Sequence, residues 1–264
     1  MTIDSGKIVS AEAEIEYFRY GNGSRVLVVL PGLSIKSLML FKTAVAGALS
    51  LFSEDFNVYV FDRRKNLPDE YTIEDMASDY IGAFDALGLK DISFYGISQG
   101  GMIALNIAIL RPDLVRTMVL GSTASRISPY SRQIVSSWNE LARAGDEDAL
   151  ITAFASKVYS KDFYERFKDI ICSSSREISP DEFRRLVILT DKMEDFDVYD
   201  RLDEIKCPVL IMGGSDDAVL GVDASIEMQA KMGCEMFIFE GFGHAVYDET
   251  SDFRKKAKAF LIDH

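Results

Sequence analysis

The segment Ser93-Phe94-Tyr95-Gly96-Ile97-Ser98-Gln99-Gly100-Gly101 decides the fold predicted for this chain. The apolar run from Ile92 to Tyr95 predicts a buried strand, and the residues from Met102 to Leu110 have a helical pattern. The turn between them has the spacing G-x-S-x-G, which is typical of a nucleophile elbow, a sharp strand-to-helix turn that exposes a serine. Glycines two positions before and after Ser98 fit this interpretation, because the backbone crowds a serine in so tight a turn. A glycine- and serine-rich turn without chemistry remains the alternative until Ser98 has partners.

The composition indicates one large α/β domain and restricts the function. The chain has 264 residues, of which 48% are hydrophobic, and this is enough for a well-buried core. Its formal net charge of −13 disfavours binding to nucleic acid or to a membrane surface, since both are negatively charged. No apolar run approaches the length of a membrane span.

The N-terminal residues and the cysteines both favour a cytoplasmic location. The first six residues lack the basic and apolar regions of a signal peptide. Cys172, Cys207 and Cys234 are odd in number and widely spaced, so they predict free thiols rather than a disulfide framework or a metal site.

Apolar runs alternate with helical patterns over most of the chain, which predicts an α/β fold with a mostly parallel, doubly wound sheet of about eight strands. The segment from Lys7 to Arg19 predicts an antiparallel hairpin at the sheet edge. A helix that Thr72 caps and Gly88 ends, and a terminal helix from about Tyr247 to Leu261, are also predicted. The other predicted strands cover residues 26–30, 57–61, 92–95, 117–120, 208–212 and 236–239.

The alternation is interrupted between residues 127 and 206, where no buried strand is evident. Ser128-Pro129 and Ser179-Pro180-Asp181-Glu182 each place a capping serine before a proline at the first helical position. Residues 127–206 therefore predict an all-helical cap of two to four helices, inserted into a core of residues 1–126 and 207–264. Its aromatic side chains, which include Trp138, Tyr159 and Phe196, are individually expected to pack in the core or between cap and core, although some of them must face the cleft if the block is a lid.

A serine hydroxyl needs a general base, and that base needs an orienting group. The chain has two histidines, and His264 is the last residue, so His244 in the loop Gly241-Phe242-Gly243-His244 is the predicted base. The chain order of this motif class places the acid between serine and histidine, at a strand end. The strand before the helical block ends without a carboxylate, whereas the strand after it leads to Asp216 and Asp217, so either of these is the acid.

With these motifs the chain resembles α/β-hydrolase-fold proteins with a helical cap, a group that includes small esterases, C–C bond hydrolases and proline iminopeptidases. Four motifs match in order over nearly the whole chain: the oxyanion loop, the elbow, G-x-x-D after a late strand and G-H after the last strand. Members typically carry Pro-x-Leu-Ile-x-x-Gly-x-x-Asp with the catalytic acid last. Placed on Pro208 to Asp217, this pattern implies that Asp217 is the acid and that Asp216 is a loop carboxylate.

The resemblance also implies two backbone N–H donors for an oxyanion hole. One belongs to Gln99, directly after the nucleophile, and the other to Leu33 in the loop Pro31-Gly32-Leu33. Two departures from the family pattern are visible. Pro31 stands where relatives usually have a histidine, and Asp62-Arg63-Arg64-Lys65 stands where they often have an Arg-Gly-x-Gly turn, which indicates a loop of different shape. The basic triplet Arg63-Arg64-Lys65 is expected to form surface pairs or to solvate the loop rather than to bind an anion.

The predicted activity is two-step acyl transfer from a small-molecule ester, or a similarly activated acyl compound, to water. In this hypothesis Ser98 is the nucleophile, His244 the base, Asp217 its orienting group, and no metal or organic cofactor is required. An acyltransferase, a C–C bond hydrolase or an aminopeptidase could use the same residues, and the cap carboxylates Glu194, Asp195 and Asp197 could bind a substrate amine. A non-catalytic ligand-binding relative is the remaining alternative.

Overall fold

The computed structural model describes residues 1–9 and 13–264, and one eight-stranded sheet forms its centre. The strands lie in the order β1-β2-β4-β3-β5-β6-β7-β8. The pairs β1–β2 and β2–β4 are antiparallel and all other pairs are parallel, which confirms the predicted mostly parallel sheet. The strands are β1 (Asp4–Val9), β2 (Glu14–Tyr20), β3 (Arg25–Leu30), β4 (Phe56–Phe61), β5 (Ile92–Ile97), β6 (Val115–Gly121), β7 (Val209–Gly214) and β8 (Glu235–Phe239).

Ten helices connect or cover these strands within the described residues. They are α1 (Lys42–Ala48), α2 (Ile73–Leu87), α3 (Gln99–Leu110), α4 (Pro129–Ala144), α5 (Glu147–Val158), α6 (Lys161–Ser174), α7 (Pro180–Asp191), α8 (Val222–Met232), α9 (Val246–Glu249) and α10 (Ser251–Asp263). Short turns of 3-10 helix accompany them, for example before α1 and β7.

Both faces of the sheet are covered, as the continuous apolar strands predict. Along β3, Val28 and Leu30 belong to one buried cluster, which includes side chains of α2, α3 and α8. Leu27 and Val29 belong to a second buried cluster, which includes side chains of α1 and α10. Because successive side chains of a strand point to opposite faces, these clusters form the two hydrophobic layers of a doubly wound fold.

Local capping chemistry sets several helix boundaries where the sequence predicts them. Thr72 and Asp75 form a reciprocal capping box at the start of α2, and Gly88 ends that helix with a φ of +65°. Ser179 and Glu182 form a second capping box before α7. These contacts satisfy N–H groups that have no partner inside the helix.

The helices α4 to α7 form an insertion between β6 and β7, which confirms an inserted helical block with four helices. Its buried side chains Trp138, Leu150 and Leu186 join the same hydrophobic cluster as α2 and α3. The insertion is therefore packed on the core. The predicted division of the chain at residues 127 and 206 remains a prediction.

Two predicted elements differ in detail. The terminal helix is interrupted at Thr250, whose extended backbone (φ −137°, ψ 139°) separates α9 from α10. The Thr250 hydroxyl accepts a hydrogen bond from the Asp252 N–H, and a capping threonine favours this extended geometry over a continuing helix. The predicted hairpin of residues 7–19 is present as β1 and β2, and residues 10–12 within it lie outside the described residues. Among the described residues, no helix has both the length and the apolar content required to cross a membrane.

Candidate active site

Ser98 lies in a strained turn between β5 and α3. Its backbone has a φ of +51° and a ψ of −120°, a conformation that residues other than glycine seldom adopt. The Ser98 N–H donates to the Gly121 carbonyl at 2.8 Å, and Thr123 Oγ1 donates to the Ser98 carbonyl at 2.7 Å. These contacts with β6 and the loop after it hold the turn in place, so the serine is presented as in a nucleophile elbow.

The glycines around Ser98 are required by close backbone approaches. A Cβ atom at Gly100 would lie 1.9 Å from the Leu30 carbonyl oxygen of β3. A Cβ atom at Gly96 would lie 3.0 Å from the Gly100 carbonyl oxygen, a tighter contact than most Cβ atoms make. The spacing G-x-S-x-G therefore permits α3 to begin directly against the sheet.

The structure brings the three residues predicted as a triad into one hydrogen-bonded chain. His244 Nε2 lies 2.9 Å from Ser98 Oγ, and His244 Nδ1 lies 2.8 Å from Asp217 Oδ2. The His244 and Asp217 side chains are each 4% exposed, so this chain is shielded from water. The residues are far apart in sequence and meet because β5, β7 and β8 are parallel and end at the same edge of the sheet.

Asp217 is held as a carboxylate by its surroundings. Burial acts to raise its pKa, but His244 and the backbone N–H groups of Val219 and Leu220 outweigh burial, so the pKa of Asp217 lies below its ordinary value. Oδ1 accepts those two N–H groups at 2.8 and 2.9 Å. Asp216 differs, because it is exposed and accepts a hydrogen bond from Ser215 Oγ at 2.7 Å. The structure thus places Asp217, and not Asp216, against the imidazole.

The two predicted oxyanion donors both border the cavity in front of Ser98. Gln99 is the first residue of α3, so its N–H has no acceptor within the helix. Leu33 follows β3 in the loop with Gly32, which approaches the Ser98 side chain. Within residues 1–9 and 13–264, neither N–H has an acceptor at hydrogen-bonding distance. Both groups are therefore available to an oxygen atom bound near Ser98.

The cavity in front of Ser98 has a volume of about 280 Å³ and a mostly apolar lining. The core side and the insertion both contribute to it, and Trp138 and Tyr159 of the insertion line its wall. Phe196 does not line the cavity and is buried in the hydrophobic core. A small, largely apolar cavity suits a small acyl compound.

The cap carboxylates that could bind an amine, Glu194, Asp195 and Asp197, are not among the residues that line this cavity. The carboxylate that lines it is Asp248 of α9, four residues after His244. The residue is exposed as a whole, but the protein around its carboxyl group partly desolvates that group and raises its pKa to about 6, with Arg254 opposing and Glu249 adding to the effect. Sequence reasoning missed this residue, although its position shortly after the predicted base was a usable signal.

The charged loop after β4 is not the exposed loop that the sequence predicts. Asp62 and Arg63 are each 5% exposed, whereas Lys65 is exposed and pairs with Glu14. Asp62 Oδ1 accepts a hydrogen bond from Arg185 of α7 at 2.7 Å, so part of the loop binds the insertion. The expectation that the basic triplet lies at the surface is wrong for Arg63, because its side chain turns inward and donates to the Pro31 carbonyl of the oxyanion loop.

The described part of the chain contains no group of three or more histidine, cysteine or acidic side chains that could hold a metal ion. Cys172, Cys207 and Cys234 are half-buried free thiols. Burial raises the pKa of the Cys207 thiol to about 11 and also raises that of Cys234.

A protein-family model matches residues 26–251 of the chain. The matching family is described as the alpha/beta hydrolase fold. Among curated proteins, the chain is 27% identical to a putative carbamate hydrolase RutD of Pseudomonas syringae pv. syringae (strain B728a) over 82% of this chain and 87% of that protein. It is 21% identical to 3-oxoadipate enol-lactonase 2 of Acinetobacter baylyi (strain ATCC 33305 / BD413 / ADP1) over 81% of this chain and 80% of that protein.

Among solved structures, the chain is similar to MGS-M2, an alpha/beta hydrolase enzyme from a Medee basin deep-sea metagenome library. The TM-score is 0.87 with 24% sequence identity, over 97% of both chains. At this level of identity, the likeness shows a common fold.

Proposed function

The chain belongs to the α/β-hydrolase fold family, and we propose that it is a serine hydrolase that cleaves an ester or similarly activated acyl bond through an acyl-enzyme at Ser98. The hydrogen-bonded chain from Ser98 Oγ through His244 to Asp217, at 2.9 and 2.8 Å, carries this proposal. Such a chain activates a serine hydroxyl, which is a weak nucleophile without a base.

In the first half of the reaction, His244 Nε2 takes the proton of Ser98 Oγ while the oxygen attacks the acyl carbon. The carbonyl π electrons move to the acyl oxygen, and the resulting negative charge is received by the Leu33 and Gln99 N–H groups. Asp217 holds Nδ1–H and stabilises the imidazolium. Collapse of the tetrahedral intermediate breaks the bond to the leaving group, which receives the proton from His244.

In the second half, His244 removes a proton from water, and the hydroxide so formed attacks the acyl carbon of the ester at Ser98. The same two N–H groups receive the oxyanion. Collapse releases the carboxylic acid and returns the proton to Ser98 Oγ. Every proton is carried by His244, so these steps need no cofactor from outside the chain.

Activity-based labelling combined with ester hydrolysis tests the proposal. We expect a fluorophosphonate probe to label Ser98 in the folded protein, and p-nitrophenyl acetate to be hydrolysed. Ser98→Ala should abolish both signals. Ser175→Ala is the matched control, because Ser175 lines the same cavity but its hydroxyl donates to the Ile171 carbonyl and has no histidine partner. Retained hydrolysis in Ser98→Ala would place the chemistry elsewhere.

Carbamates and lactones extend the substrate panel, since curated relatives are named for hydrolysis of these acyl compounds. We propose short acyl groups in each class, because the cavity of about 280 Å³ is at the lower end of the range for ligand sites. Product analysis with an added alcohol or thiol separates hydrolysis from acyl transfer. If the added acceptor takes most of the acyl group, the protein is an acyltransferase.

Asp248 supports one alternative, cleavage of an acyl compound that bears an ammonium group. Its carboxylate lines the cavity and has no hydrogen-bond or ion-pair partner within residues 1–9 and 13–264. An aminopeptidase needs such a group to bind the substrate amine. A preference for alanine p-nitroanilide over p-nitrophenyl acetate, lost in Asp248→Asn, would favour this alternative.

We also propose that residues 127–206 act as a cap domain over the core of residues 1–126 and 207–264. Trp138 of α4 and Tyr159, which follows α5, line the cavity, which supports this division. Changing Trp138 to Ala should alter the preference for acyl-chain length more than the rate with the shortest ester.

A further inference from the structure

The two departures from the family pattern lie in direct contact. Arg63 Nη2 donates to the Pro31 carbonyl at 2.9 Å and to Gln99 Oε1 at 2.9 Å. Pro31 begins the loop that carries the Leu33 N–H, and Gln99 carries the other proposed oxyanion donor. One guanidinium nitrogen therefore joins the backbone of the oxyanion loop to the side chain of Gln99.

The Arg63 side chain is a buried cation with neutral acceptors. The residue is 5% exposed, and Nη1 donates to the Tyr80 hydroxyl at 2.8 Å. Within the described ranges, no carboxylate oxygen lies within 4.0 Å of its guanidinium nitrogens, and Nε has no partner. The adjacent carboxylate of Asp62 accepts the Arg63 backbone N–H and pairs with Arg185 instead. Burying a guanidinium that makes no direct ion pair is costly, so this arrangement is poorly explained by stability alone.

We propose that Arg63 is a positioning residue that aligns the Leu33 and Gln99 N–H groups and stabilises the oxyanion with its charge, a role that rests on the proposed acyl-transfer function. The hydrogen bond to the Pro31 carbonyl fixes the orientation of the Pro31–Gly32 peptide. The Leu33 N–H belongs to the next peptide along the chain. The bond to Gln99 Oε1 fixes one end of that amide.

The other end of the Gln99 amide is held by the insertion. Gln99 Nε2 donates to the Leu189 carbonyl of α7 at 2.6 Å. With both ends of its side chain bound, Gln99 has little freedom to turn its backbone N–H away from the cavity. Preorganised donors of this kind act on the transition state, in which the acyl oxygen becomes negative, more than on the neutral substrate.

The test compares Arg63→Gln and Arg63→Lys with the control Arg64→Gln, which alters the neighbouring guanidinium that pairs with Asp79. The readouts are kcat and KM with p-nitrophenyl acetate, and inhibition by phenylboronic acid, which forms a tetrahedral anion on an active serine. Circular dichroism and thermal unfolding establish that each variant is folded.

We expect Arg63→Gln to lower kcat/KM about 100-fold, mainly through kcat, and to weaken phenylboronic acid binding by a similar factor. Arg63→Lys should lose less, because lysine keeps the charge but lacks the fork that reaches the separate acceptors. Arg64→Gln should stay within about threefold of the wild type in both readouts. A residue that only supports the fold would not change kcat and anion affinity in parallel.

Several outcomes would overturn the inference. Wild-type values in both Arg63 variants, a loss confined to KM, or unchanged phenylboronic acid affinity would each refute the positioning role. If Arg63→Gln does not fold, Arg63→Lys decides by the same readouts, and Tyr80→Phe serves if neither folds, since it removes one anchor of the guanidinium. A wild-type protein that neither hydrolyses the ester nor reacts with a fluorophosphonate would refute the proposed function itself, which is a separate result.

Discussion

Replacement of Asp217 by Asn tests the proposed triad at the atom that sets the histidine tautomer. The carboxylate has two different tasks. Oδ1 accepts the N–H groups of Val219 and Leu220 at 2.8 and 2.9 Å, and Oδ2 faces His244 Nδ1 at 2.8 Å. Asparagine has nearly the same shape, but one of its two ends is an amide NH2 group.

The two backbone N–H groups determine how the new amide is oriented. Its oxygen must occupy the Oδ1 position, because an NH2 group there would face two donors and leave them without acceptors. The NH2 group then points at His244 Nδ1 and donates to it. Nδ1 becomes an acceptor, so the imidazole proton resides on Nε2, which faces Ser98 Oγ at 2.9 Å. In this tautomer His244 cannot take the serine proton.

The magnitude follows from the loss of the base. A serine triad whose histidine is held in the wrong tautomer loses about 10⁴-fold in kcat. At about 1.36 kcal/mol for each factor of ten, this loss corresponds to about 5 kcal/mol of activation free energy. The fold should persist, because both backbone hydrogen bonds at Oδ1 are kept.

The assay is kcat for p-nitrophenyl acetate together with the rate of fluorophosphonate labelling, and both should fall in Asp217→Asn. Asp216→Asn is the matched control, since this neighbouring carboxylate is exposed and does not contact His244. The control should stay within about twofold of the wild type. Asp217→Asn with more than about a tenth of wild-type kcat, or an equal loss in both variants, would refute the tautomer argument.

Two further predictions concern stability. Gly100→Ala should prevent the elbow from closing, because its Cβ would lie 1.9 Å from the Leu30 carbonyl oxygen, and should lower the free energy of unfolding by about 3 kcal/mol or more in urea titration. Gly82 lies at an exposed position in the middle of α2, where a Cβ atom would meet nothing within 4 Å. Gly82→Ala should therefore raise the free energy of unfolding by about 0.5–1 kcal/mol, and equal effects of the two changes would contradict the steric argument. Partial desolvation raises the pKa of Asp248 from 3.8 to about 6, so the folded protein holds this proton more tightly than the unfolded chain and loses stability as pH rises between these values. Asp248→Asn should therefore raise Tm at about pH 8 and leave it nearly unchanged at about pH 3.5. The increase at about pH 8 should be smaller than the full pKa shift implies, because Asp248 has contact with water. A Tm difference that does not depend on pH would contradict this origin.

Much of the fold could be predicted because its signals are local. The capping box at Thr72 and Asp75, the αL glycine at Gly88 and the continuous apolar run of β3 each depend on residues close in sequence. The break at Thr250 was missed because an N-cap inside a helical pattern competes with helix propensity, and the outcome depends on how α9 and α10 pack on the core.

The sequence by itself determined the elbow around Ser98, the single internal histidine and the pair of carboxylates after β7. These follow from motif spacing, from residue counts and from the rule that parallel strands end at one edge of the sheet. The assignment of Asp217 over Asp216 came from family resemblance, and the hydrogen bond to His244 Nδ1 agrees with it geometrically.

Only the tertiary structure decided which charged side chains lie inside. Arg63 follows a strand in sequence as an ordinary basic loop residue, yet its guanidinium meets Pro31, Gln99 and Tyr80 below the oxyanion loop. Asp248 remains exposed, but the placement of α9 brings it to the lining of the cavity. Whether a charge is buried depends on groups tens of residues away that fold over it, and no local pattern contains that information.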